Sequence, residues 1–104
     1  MKASNAFELG VKYLDKNDLD NALVVFSEAI RLDPNFAQAY NGRGVVLALK
    51  GEMEKALADC HEAIRHGPND PEFYRSRGYL YEQLGDEDKA AADLAKAEEL
   101  EAAG

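Results

Sequence analysis

Residues 28–35 read EAIRLDPN, and residues 62–69 read EAIRHGPN, 34 positions later. An octapeptide that returns at this distance sets a period, and the rest of the chain keeps it. Gly10, Gly44 and Gly78 are 34 apart, as are Ala22, Ala56 and Ala90, then Ala29, Ala63 and Ala97, and Pro34 pairs with Pro68. A fixed period of this length is the mark of supersecondary units stacked on one another. Units at 3–36, 37–70 and 71–104 account for almost the whole chain as a single array spanning 3–104.

Inside each unit the apolar residues recur at helical spacing. Tyr40, Gly44 and Leu47 fall at i, i+4 and i+7, and Ala56, Cys60 and Ala63 repeat the pattern, so each segment carries one apolar stripe. The period is that of helices and not of strands, which makes the expected fold all-α, with three stacked helix-turn-helix units. Short polar turns separate the paired helices: LDKND at 14–18, LKGE at 49–52 and LGDE at 84–87. Gly51 and Gly85 suit the end of a first helix, and Asp18 and Asp86 suit the cap of a second. Between units, Pro34 and Pro68 disfavour helical geometry in the residue before them, Asn35 or Asp70 is placed to cap the next helix, and Pro71 opens it. A glycine inside a helix costs about 1 kcal/mol relative to alanine. Three of them at one phase imply that the two helices of a hairpin approach closely there, with Ala56 and Ala63 opposite and Tyr40, Leu47 and Leu57 filling the space beside them.

Composition narrows the function. The chain has 104 residues, 46% of them hydrophobic, and a net charge of −8. That is enough apolar content to fold and too little length to enclose a deep cavity, so a shallow surface site is expected. With 12 basic against 20 acidic residues and no basic run, the electrostatic footprint of a nucleic-acid binder is missing, and anionic membranes are equally poor partners. No window has the length or apolarity of a membrane span or a signal peptide, and the single cysteine, Cys60, has no second thiol to pair with. A cytoplasmic location is the expectation.

Catalysis would need a nucleophile, base or metal constellation. His61 and His66 are five apart, which puts them on different faces of a helix and reads as a solvent-facing residue and a turn residue. Cys60 lies in a packing stripe, where a buried thiol is inert. The acidic run Asp86, Glu87 and Asp88 sits at a helix start, where it complements the macrodipole. The GRG of residues 42–44 falls in mid-helix and is no phosphate loop. No enzyme, metal or cofactor is expected.

In these residues the chain resembles the tetratricopeptide repeat family: Leu9, Gly10 and Tyr13, then Ala22, Phe26, Ala29 and Pro34, with most of the pattern kept in the next two units. It departs from that pattern at Ala6, at Cys60 and Leu94, which stand in place of an aromatic, and at Ala102, in place of the third proline. The resemblance implies a short right-handed α-solenoid whose inner wall is made by the first helix of each unit, and a protein or peptide partner held in that concave groove. The third unit carries Glu87, Ala91 and Glu98 where the others have Leu19, Leu23 and Ile30, or Met53, Leu57 and Ile64, so its last helix is expected to close the stack with a polar face.

One further stripe, offset from the packing face, gives Ser4, Phe7, Val11 and Leu14, then Gln38, Asn41, Val45 and Ala48, then Glu72, Arg75, Tyr79 and Glu82. The resemblance places it along the groove, with Phe7, Val11, Gln38, Asn41, Val45, Arg75 and Tyr79 as the expected peptide-binding residues. Apolar seats near Val11, Val45 and Tyr79 would combine with Asn41 on a peptide group and Arg75 forked onto a carboxylate. Arg75 has an equal chance of pairing with Glu72 or Glu82 of its own helix. Phe7 and Leu14 have the alternative of completing the packing beside the small Ala6. Family members that grip acidic chaperone tails use Lys and Asn, then Asn, then Lys and Arg; the matching positions here are Phe7, Val11, Gly42, Glu72 and Ser76, so that clamp is not expected. The alternative function is self-association through Phe7, Val11 and Leu14, and the chain is expected to be a monomer or a weak homo-oligomer.

Overall fold

A computed structural model describes residues 1–104. The chain forms α1 (Ala3–Asp15), α2 (Leu19–Leu32), α3 (Ala37–Leu49), α4 (Met53–His66), α5 (Pro71–Gln83) and α6 (Glu87–Ala103), with no strand. Successive helices pack as hairpins, α1 on α2, α3 on α4 and α5 on α6, and each hairpin packs on the next through α2 with α3 and α4 with α5. Direct contacts of α1 with α3 and of α3 with α5 align the first helices as one wall of a stack measuring 39 × 29 × 21 Å.

The same turn closes each hairpin. Asn17, Gly51 and Gly85, 34 residues apart, all adopt positive φ, at 58°, 84° and 82°. The next residue then donates its N–H five residues back: Asp18 to Tyr13 O at 2.8 Å, Glu52 to Leu47 O at 2.9 Å and Asp86 to Tyr81 O at 2.9 Å. This is a Schellman ending, which consumes orphan carbonyls of the first helix. Asn is the non-glycine residue best suited to that conformation, which explains its place in the first turn. Asp18 and Asp86 cap the following helices by accepting from the N–H of Asn21 and Lys89.

The joints marked by the repeated octapeptide use a different device. The Tyr40 hydroxyl donates to Pro34 O and the Tyr74 hydroxyl to Pro68 O, both at 2.8 Å, tying each joint to the helix that leaves it. Asp70 caps α5 by accepting from Glu72 N–H at 3.0 Å, with Pro71 opening the helix. Asn35 does not cap α3: its own N–H donates to Asp33 Oδ1, and Phe36 is the flanking residue, with no side-chain cap. The cap position falls one residue past Asn35, on Phe36, which stands 34 residues before the capping Asp70. His66 is likewise no turn residue. It ends α4 with its ring stacked on Tyr40 at 5.5 Å and its side chain 13% exposed.

The periodic glycines sit where helices touch. A Cβ on Gly44 would lie 3.2 Å from Ala56 O, and one on Gly78 would lie 3.2 Å from Asp93 Cβ. At Gly10 the neighbour is the Phe26 ring at 2.6 Å, and Gly42 meets the same ring at 2.7 Å. Phe26 is therefore clasped by two glycines and fully buried. Ion pairs join the layers with the same period: Arg43 on α3 forks onto Asp59 of α4 and reaches Ser27 of α2, while Arg77 on α5 forks onto Asp93 of α6 and reaches His61 of α4.

Candidate functional site

The wall made by α1, α3 and α5 carries two open clefts, one on each side of α3. The first, of about 250 Å³, lies between α1 and α3 and is closed at one end by the start of α5. Phe7, Val11, Leu14, Gln38, Asn41 and Val45 line it, Phe26 forms its floor, and Asp70 and Glu72 stand at the α5 end. The second, of about 330 Å³, lies between α3 and α5 and is lined by Val45, Ala48, Leu49, Arg75, Ser76 and Tyr79 over a floor of Gly44, Cys60 and Leu80. Val45 borders both and forms the ridge between them.

The two clefts differ at two equivalent positions. Phe26 fills the middle of the first hairpin, and the residue 34 positions on is Cys60, 1% exposed and far smaller. The α5 side of this cleft also has Ser76 where, 34 positions earlier, Gly42 had to make room for the Phe26 ring. A smaller side chain below thus goes with a larger apolar cleft above, about 330 Å³ against 250 Å³. Burial pushes the Cys60 thiol up to about 12, so it serves as floor and not as nucleophile.

The structure brings all seven expected peptide-binding residues to the lining of these clefts. Val11, Tyr79 and the neighbouring Leu49 present apolar surface, being 37%, 56% and 58% exposed. Phe7 lines the first cleft and also packs into the interior, its ring 5.8 Å from Phe26 and 5.1 Å from Phe36. It completes the packing beside the fully buried Ala6. Gln38 is exposed at the rim. Asn41 is half-buried, and its Oδ1 is shielded without a hydrogen-bond partner in the chain. An unsatisfied buried acceptor costs about 1–3 kcal/mol, so turning the Asn41 amide toward a donor in the cleft would be favourable.

Arg75 is held within the chain. Its guanidinium pairs with Glu72 at 3.2 Å and with Glu101 of α6, and the Glu101 hydrogen bond is the larger cause of its raised pKa. The sequence offered Glu72 as a partner, but Glu101 is 26 positions away and meets Arg75 only because α6 folds back along α5. Leu49 and Ser76 lay outside the stripe. Leu49 belongs to the turn-proximal edge of α3, and Ser76 is legible only once the Phe26 and Gly42 contact is known.

No group of three His, Cys, Asp or Glu side chains is placed to share a metal ion. No helix is long and apolar enough to cross a membrane.

Comparison with known proteins places this geometry in context. Family models described as TPR repeat and tetratricopeptide repeat match residues 10–51, 37–70 and 61–104. A search of curated proteins finds no match. Among solved structures, the TPR2B domain of yeast Sti1, in a complex with pHsp70, is 30% identical with a TM-score of 0.93, over 98% of this chain and 82% of that one. MamA is also 30% identical, with a TM-score of 0.89 over 96% of this chain; the chain spans only 58% of MamA's length. The first TPR of Spaghetti (RPAP3), bound to an HSP90 peptide, has a TM-score of 0.93 at 23% identity over 99% of this chain and 82% of that one, a likeness of fold.

Proposed function

The chain belongs to the tetratricopeptide repeat family, and from that premise we propose that it is a protein-interaction module which holds a short segment of a partner protein along α1, α3 and α5. The observation that carries this reading is the pair of apolar clefts flanking Val45, with the partnerless Asn41 Oδ1 beside the ridge. Two clefts in a row suit two apolar side chains of one segment, and Asn41 suits a main-chain N–H between them. Val11 and Leu14 would seat the first side chain, and Ala48, Leu49 and Tyr79 the second. Gln38 would meet the segment at the rim, and Phe7 would shape the first seat from below. The Sti1 domain, which shares fold and 30% identity, was solved with a bound partner, and this supports a binding role without naming the partner of this chain.

The positions that the family resemblance assigns to a clamp for acidic tails are occupied here by Phe7, Val11, Gly42, Glu72 and Ser76, so the proposed ligand is of a different chemistry from those tails. We infer no enzymatic role. The site acts by shape and polarity, which is how a scaffold works.

Selection from a displayed library of random peptides tests the proposal without a known partner. Peptides recovered on the wild-type chain should lose binding to Val45→Glu, which places a charge on the ridge between both seats. Recovery of no peptide, or of peptides that bind Val45→Glu equally well, would contradict it.

A further inference from the structure

The charge of the groove narrows the partner further, on the premise that the groove binds a segment at all. The charged residues lining the two clefts are Asp70, Glu72 and Arg75. Arg75, the one cation, is already bound to Glu72 and Glu101, so the lining carries no uncommitted positive charge and an excess of carboxylate. Glu72 keeps 66% of its side chain exposed and Glu101 51%, so both remain within reach of a ligand. Glu82, on the same stripe of α5, is exposed as well. Asn41 adds an acceptor, Oδ1, that needs a donor. Donors and cations are thus what the groove lacks, and apolar side chains are what its clefts admit.

We propose that this groove takes a basic, leucine-type segment of another protein, whose apolar side chains enter the clefts beside Val45 while its Lys or Arg side chains meet Glu72, Glu82 and Glu101. The pairing of Arg75 with Glu72 and Glu101 is the selecting device. By consuming the single groove cation it turns the α5 end of the wall against carboxylates and toward cations. A second copy of this chain is a poor occupant on the same ground, because each copy carries a net charge of −8.

The test uses three labelled peptides with the same leucines, acetyl-LKALLKALKA-amide and its analogues with every Lys replaced by Gln or by Glu, titrated into the full chain. At low ionic strength the Lys peptide should bind about tenfold or more tighter than the Gln peptide, with the Glu peptide weakest, and the spread should shrink as salt shortens the Debye length from about 30 Å at 0.01 M to about 8 Å at 0.15 M. The double variant Glu72→Gln with Glu101→Gln releases Arg75 and should move the preference toward the Glu peptide. A control of equal net charge, Glu54→Gln with Glu98→Gln, should leave the order unchanged, since neither residue lines the clefts.

Equal affinity for the three peptides, or a control that shifts the order as far as the groove variant does, overturns the inference and leaves the groove reading standing. Binding of all three that survives Val45→Glu overturns the groove reading itself. If no peptide binds and sedimentation shows a dimer that Val45→Glu dissociates, a second copy is the occupant and the inference falls.

Discussion

Phe26 fixes the first hairpin because two glycines leave room for its ring. Gly10 and Gly42 are spent on that contact, with Cβ positions 2.6 and 2.7 Å from ring carbons, closer than any real Cβ approaches. Gly10→Ala gains about 1 kcal/mol of helix propensity, yet it must displace a fully buried ring, which costs about 1–3 kcal/mol or more, so the net effect is destabilising. Urea denaturation should show a lower midpoint at unchanged slope; an unchanged or higher midpoint would refute the clasp. Gly44→Leu should also lose about 1–3 kcal/mol, because its nearest neighbour, Ala56 O, is backbone and cannot rotate away. Cys60 yields a third prediction at this scale. Its folded pKa is raised from an ordinary 9.0 to about 12, so the folded state holds the proton that the unfolded state releases. The associated stability is intact below pH 9 and is lost as pH rises from 9 toward 12. Denaturation midpoints measured between pH 8 and pH 10 should therefore fall in the wild type and fall less in Cys60→Ala; parallel decline would place the thiol outside the packed interior.

At the scale of helices and joints, the layers are held by two forked ion pairs, Arg43 with Asp59 and Arg77 with Asp93, in which the aspartates are 6% and 5% exposed. Removing one member of such a pair leaves a charge poorly compensated. Asp93→Ala should cost about 3 kcal/mol, the low end of the buried range, because the Arg77 guanidinium keeps some access to water. Glu28→Ala, which breaks an exposed pair with Arg31, should leave stability nearly unchanged. His61 accepts from Arg77 at 3.2 Å, and burial together with that guanidinium lowers its pKa below 6.5. Here the unfolded state binds the proton more readily, so stability declines as pH falls below 6.5 until the lower folded value is reached. Asp93 opposes this effect and Lys89 reinforces it. The wild type should lose more stability between pH 7.5 and pH 5.5 than His61→Gln, and equal losses would show that the α4 to α5 contact does not sense the proton. The hairpins and their turns were legible in the sequence because local rules dictate them: helical spacing, a cap at Asp18, Asp70 and Asp86, and glycine at residues 51 and 85. The ion-pair ladder was not inferred, although Arg and Asp recur 16 apart in two successive units, since that spacing has no meaning within one helix. Asn35 is not the cap because α3 begins one residue later than its placement required: the cap position falls on Phe36, 34 residues before Asp70, and element boundaries are the least legible feature of a sequence.

For the whole molecule, the stack converts three similar hairpins into one wall with two unlike clefts. The groove stripe could be read from spacing because every first helix repeats the same phase. The size of the second cleft and the commitment of Arg75 could not, since the one depends on Cys60 and Ser76 lining the same space from α4 and α5, and the other on Glu101 returning along α5. Charge follows the same division, with the third unit most acidic and Glu87, Ala91 and Glu98 exposed on the outer helix. Association with a basic segment should therefore weaken as salt rises. The most direct measurement is amide NMR of the labelled chain during titration with a peptide recovered by display. Chemical-shift changes are predicted to gather at Val11, Gln38, Asn41, Val45 and Tyr79, on α1, α3 and α5. Changes centred instead on Val24, Arg31, Ala58 and Arg65 of α2 and α4 would contradict a partner-holding groove.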